Sequence, residues 1–160
     1  MARILIPVLA VLAVLLAAAG VWIGTQRHDV QAVSDERRAA MDAAGTHAVD
    51  VLSLDYRTVD ADVARILATS TGEAKAEYTS LAGRLKETTI ANKVVQQGVL
   101  RATGLVSISG GSARVLVVAD ADIRWEGAKS PPPPERFYRW QMDLSKVGGV
   151  WLVSKAVQIS

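Results

Sequence analysis

The hydrophobic spacing changes twice along this 160-residue chain. Residues 4–23, "ILIPVLAVLAVLLAAAGVWI", hold no charge, and twenty such residues are enough to cross the hydrocarbon core of a bilayer. From residue 26 to about 52 the apolar positions fall at Val30, Val33, Ala40, Ala44, Ala48 and Val51, with charges between them. That three-and-four spacing predicts an amphipathic helix, weakened in its middle by Gly45. From about Val94 the period drops to two. "ARVLVVADADIRW" sets Ala113, Val115, Val117, Ala119, Ala121, Ile123 and Trp125 on one side, and "YRWQMDL" does the same with Tyr138, Trp140, Met142 and Leu144.

A short helix and then a further helix are expected between these regimes. After Leu54 the apolar rhythm stops at "DYRTVD" and restarts at Val63, Ile66 and Leu67. Thr58 and Asp60 are suited to cap the new helix, because a side-chain oxygen there can accept an orphan backbone N–H. Asp60 and Asp62 in a first turn complement the helix dipole. Tyr56 fills the corner, and Arg57 and Arg65 lie near enough to pair with the acids. The next junction, "STGE", fits a capping box of Ser70 and Glu73. A helix then carries Ala74, Tyr78, Leu81, Ala82 and Leu85 on one face and should end near Thr88 or Thr89.

Four strands follow in a meander. "VVQQGVLRATGLVSI" is the first, where Gly98 and Gly104 suggest bulges, and "WLVSKAVQI" is the last. "SGGS" and "VGG" mark the tight turns. The longest connection contains Pro131, Pro132, Pro133 and Pro134, which would hold a stiff, extended hairpin tip and make a candidate partner loop. Helices segregated to one side of a curved four-stranded antiparallel sheet give an α+β domain. The expected organisation is a transmembrane anchor at 1–25, a stalk helix at 26–53 and an α+β extracytoplasmic domain at 54–160.

The apolar N-terminus changes the picture most. Its twelve Val, Leu and Ile residues favour insertion by about 6 kcal/mol. A cleaved secretory signal is the alternative, since "AAAG" could serve as a cleavage site. Trp22, at the interface end of a longer run, favours a retained anchor. Ala13, Ala17, Gly20 and Gly24 form a stripe of small residues on which another helix could pack closely. A single early span suggests the N-terminus inside and the domain outside, although the basic residues on the two sides barely discriminate.

Composition narrows the chemistry. A formal net charge of +2 gives no footprint for nucleic acid, and the strand alternation in "RFYRW" separates its aromatic residues between two faces. With no cysteine there is no disulfide, thiolate site or acylated cysteine. His28 and His47 are the histidines; His47 with Asp50 makes a poor metal pair without further ligands. The acids near residue 60 border helix ends, where carboxylates stay ionised and water-exposed. No catalytic, cofactor-binding or metal-binding residue is assigned, and no cofactor is expected.

Taken together, the early span, "LSLDYRTVDADVARILATSTGEAKAEYTSLAGRL" and the closing "GGVWLVSKAV" resemble the Mce-associated membrane proteins of mycobacteria and related actinobacteria. The family pattern of Tyr-Arg-Thr, an acidic pair, Thr-Gly-Glu and a later Tyr is matched by Tyr56, Arg57, Thr58, Asp60, Asp62, Thr71, Gly72, Glu73 and Tyr78. Trp151, Leu152 and Val153 match its closing strand, so the resemblance runs from about Ala48 to the C-terminus. "SPPPP" departs from the pattern.

The resemblance implies a cone-like domain similar to nuclear transport factor 2 and to the periplasmic assembly subunit of type IV secretion systems. It also implies a tether to the inner membrane and an accessory role in Mce complexes that import sterols or fatty acids. Three functions follow as expectations. The first is a non-enzymatic scaffold that contacts Mce components and other envelope proteins. The second is an apolar-ligand carrier, and the third an enzyme using the cone pocket. Tyr138 is the one inward strand residue able to transfer a proton, which disfavours the enzyme.

Overall fold

The computed structural model describes residues 31–126 and 135–159. The expected span, with Ala13, Ala17, Gly20 and Gly24, and the loop Pro131, Pro132, Pro133 and Pro134 lie outside the described residues. No helix among the described residues is long and apolar enough to cross a membrane. The chain divides into two compact units, Met1–Glu36 and Arg37–Ser160, and the sheet with the helices packed on it belongs to the second.

Helix α1 is described over 31–52. It is followed by β1 (Leu54–Asp55), α2 (Val59–Ala68), α3 (Gly72–Ala91) and the strands β2 (Val94–Ser109), β3 (Ser112–Trp125), β4 (Glu135–Val147) and β5 (Val150–Gln158). The sheet is an antiparallel meander in the order β1-β2-β3-β4-β5. It therefore has five strands where the sequence predicts four. The added strand is two residues long, with Leu54 opposite Gln96 and Asp55 opposite Val95. A pair of residues is too short to display alternation, and so it reads as the end of the first helix.

The inward set of β3 and β4 is as expected. Ala113, Val115, Val117, Ala119, Ala121 and Ile123 are all buried, as are Met142 and Leu144. Against them lie Ala40, Ala44 and Ala48 of α1, each with no exposed surface, in one core cluster that includes Ala74, Trp151 and Val153. Alanine at these positions lets the helix axis lie close to the strands while side chains fill the gap from the sheet side. A second cluster joins Leu52 to Ala119, Ala121 and Ile123, flanked by Tyr138 and Trp140. Those two rings stack at 5.1 Å.

Glycine marks where α1 crosses β2. A Cβ on Gly98 would lie 2.7 Å from Leu52 Cβ and 3.1 Å from the Val49 carbonyl oxygen. Gly45 likewise faces Leu100 and Thr103. What reads as a weak point in a helix is thus a site of close approach. The bulges of β2 fall between Leu100 and Ala102 and between Leu105 and Ser107, rather than at Gly98 or Gly104 themselves. Helix α3 runs past Thr89 to Ala91, because the Asn92 backbone N–H and side-chain amide both donate to the Thr88 carbonyl oxygen and hold the last turn.

Candidate binding groove

The polar motif around residue 60 builds a latch between α1, β1, α2 and the end of β3. Asp62, only 3% exposed, is its hub. Its carboxylate accepts from the Asp55 backbone N–H at 2.8 Å, from the Thr58 hydroxyl at 3.2 Å and from Arg65 Nη1 at 2.9 Å. Arg65 also reaches Asp50 of α1 at 3.5 Å. Outside this hub, Arg57 pairs with Asp55 at 3.1 Å and with Glu126 at 2.9 Å, while its guanidinium covers the Tyr56 ring at 4.5 Å. The Tyr56 hydroxyl donates to Glu126 at 3.0 Å. Donation from Tyr56, and then from Arg57, holds the Glu126 carboxyl below the usual carboxylate range.

These contacts correct the cap assignments. Thr58 occupies the N-cap position of α2 but makes no side-chain cap bond, since its hydroxyl donates to buried Asp62. Asp60 is not a cap; it is exposed and pairs with Lys86 of α3. Asp62 is buried rather than wetted. The capping box is absent as well: Thr71 stands at the N-cap of α3 without a side-chain cap bond. Ser70 is buried, donates to the Ile66 carbonyl and bridges Val153 of β5. Glu73 reaches across to Lys155 of β5 at 3.1 Å. The bridge to β5 explains the change: the Thr71 N–H and Thr69 carbonyl bond to Val153 at 2.8 and 3.0 Å, and this fixes the turn. Gly72 follows at φ +51°, a conformation that side chains resist.

His47 is the buried residue that sequence reasoning missed. It has no exposed surface. Its Nδ1 lies 2.8 Å from the Thr69 hydroxyl, whose proton is directed to the Arg65 and Ile66 carbonyls. The hydroxyl oxygen therefore accepts from Nδ1–H, and Nε2 is left to accept from the Tyr78 hydroxyl at 3.3 Å. Desolvation lowers the His47 pKa to about 4 and, with the nearby charge of Glu77 second, raises Tyr78 to about 12. The signal was present: His47 falls on the same helical stripe as Ala40, Ala44, Ala48 and Val51.

Beside this pair, α2 and α3 enclose a groove of about 330 Å³. Val63 and Ile66 form one wall, and Leu81, Leu85 and Thr88 the other, with Arg84 in the lining. Val51 and Leu54 close it toward α1 and β1. The latch thus fixes the groove by pinning α2. A second cleft of about 400 Å³ lies beside Ser107, Ser109 and Ser112. Its charged pair neutralises itself, Arg114 to Asp143 at 2.6 and 3.0 Å. Among the described residues no cluster of three His, Cys, Asp or Glu could hold a metal ion.

The outward face of the sheet is partly apolar. Leu116, Gln141 and Val157 are opposed across β3, β4 and β5, and Val118 opposes Arg139. Phe137 opposes Asp120 and is 71% exposed.

The chain is similar to one known protein in sequence and to others in fold. The chain is 33% identical over 137 residues to "Uncharacterized protein Rv1363c" of Mycobacterium tuberculosis, covering 84% of this chain and 51% of that protein. It thus spans about half the length of this curated relative. Among solved structures, the periplasmic domain of DotI matches with a TM-score of 0.62 at 15% identity, over 76% of this chain and 94% of that one. An IcmL-like type IV secretion system protein from Legionella pneumophila matches with a TM-score of 0.56 at 15% identity, over 78% and 94%. These likenesses show the fold: helices on a curled, half-barrel antiparallel sheet. The model of the family described as "Uncharacterized protein Rv1363c/MT1408-like" matches residues 2–159, and the chain belongs to that family.

Proposed function

We propose that this protein is a non-enzymatic scaffold of the cell envelope, an accessory subunit that stabilises an Mce-type lipid-import complex. In this reading residues 4–23 anchor it in the plasma membrane, with the N-terminus cytoplasmic and the α+β domain outside. The observation that carries the reading is the likeness to the DotI periplasmic domain over 94% of that chain. The motif resemblance to Mce-associated proteins supplies the choice of assembly. The use of polar chemistry supports a structural role, because the acids and bases of the latch engage one another and His47 is bonded through both ring nitrogens.

The test is deletion of the gene in the native host, followed by quantitation of transporter subunits in the membrane and uptake of labelled lipid. Both are expected to fall. Unchanged subunit abundance and unchanged uptake would refute the scaffold role.

A further inference from the structure

We infer that the groove between α2 and α3 binds a single-chain fatty acid, with its carboxylate on Arg84 and its alkyl chain along Val63, Ile66, Leu81 and Leu85. The groove walls are aliphatic, and burying an unbranched chain against them is favourable in proportion to the apolar area covered. At about 330 Å³ the space lies at the low end of small-molecule sites, about 300–1,000 Å³, which suits one chain rather than a multi-chain lipid.

The charge pattern selects the head group. Arg84 has no ion-pair or hydrogen-bond partner among the described residues, whereas the neighbouring cations are engaged: Lys86 with Asp60, and Arg65 with Asp62 and Asp50. A guanidinium at the edge of an apolar trough matches a planar carboxylate, which it can hold through two parallel N–H donors. Of the acids on α3 nearest to Arg84, Glu77 stands seven residues before it, about 10 Å along the helix, and Glu87 three residues after it, and neither pairs with the guanidinium. This assignment rests on the groove alone. It can fail while the scaffold role holds, or hold while that role fails.

The experiment uses the full chain in native membranes and a dodecanoic acid probe carrying a diazirine on its chain, beside the matching dodecanol. After irradiation, labelled peptides are mapped by mass spectrometry. The acid is expected to label peptides within residues 59–91, competed by excess dodecanoate, and the alcohol about tenfold less. Arg84→Gln should reduce acid labelling to the level of the alcohol, and Arg84→Lys should restore part of it. Both variants should keep the thermal midpoint of the parent, showing that the fold is intact. Equal labelling by acid and alcohol, labelling confined to residues 4–23, or unchanged labelling of Arg84→Gln would each overturn the proposal.

Discussion

Asp62 and Asp60 are two positions apart on α2 and face different solvents. Asp62 is buried beneath a backbone amide, a hydroxyl and a guanidinium, and removing the carboxylate strands all three donors. Asp62→Ala is expected to cost about 2–3 kcal/mol in urea unfolding. Asp60, whose side chain is 84% exposed, makes a surface pair, and Asp60→Ala should stay within about 0.5 kcal/mol of the parent. Similar losses for the two would refute the latch. His47 adds a pH dependence. Its pKa is about 4 in the fold against an ordinary 6.5, so between those values the unfolded chain binds the extra proton. Stability is complete above about pH 6.5 and falls as pH drops toward 4, by about 3 kcal/mol at most. Unfolding curves of the parent and of His47→Phe, taken from pH 7.5 to 4.5, should differ in slope, with the variant flatter in that window.

At the scale of elements, the close crossing of α1 over β2 is the sharpest constraint. Gly98→Ala would drive a Cβ into Leu52 Cβ and the Val49 carbonyl, neither of which is a flexible side-chain end. A loss of about 1–3 kcal/mol is expected in thermal or urea unfolding, and a neutral substitution would mean that α1 lies farther from the sheet. The strands β3 and β4 could be read in advance because a half-buried strand writes its inside and outside as alternate residues, as Ala113 to Ile123 do. The helices could be placed for the same reason, through Ala40, Ala44 and Ala48. Their caps could not. Thr58, Ser70 and Glu73 have the right residue types for capping, but each is drawn off by a partner that is buried or distant in sequence: Asp62, Val153 and Lys155. The groove was hidden likewise, since Leu81 and Leu85 read as ordinary core. Only the packing of α2 against α3 leaves space between them.

For the whole molecule, the fold is similar to that of the DotI periplasmic domain and of an IcmL-like type IV secretion system protein, and the outward sheet face exposes apolar side chains. Phe137 is its most exposed apolar residue among the described residues, and an exposed aromatic ring on the same face as Leu116 and Val118 has the composition of an interface anchor. The most direct measurement is affinity purification of the tagged full chain from gently solubilised native membranes, with co-purifying proteins quantified by mass spectrometry. Mce transporter subunits should be enriched with the parent chain, and with Phe137→Asp they should fall about tenfold or more at unchanged thermal midpoint. Recovery of the parent chain without any transporter subunit would contradict the account.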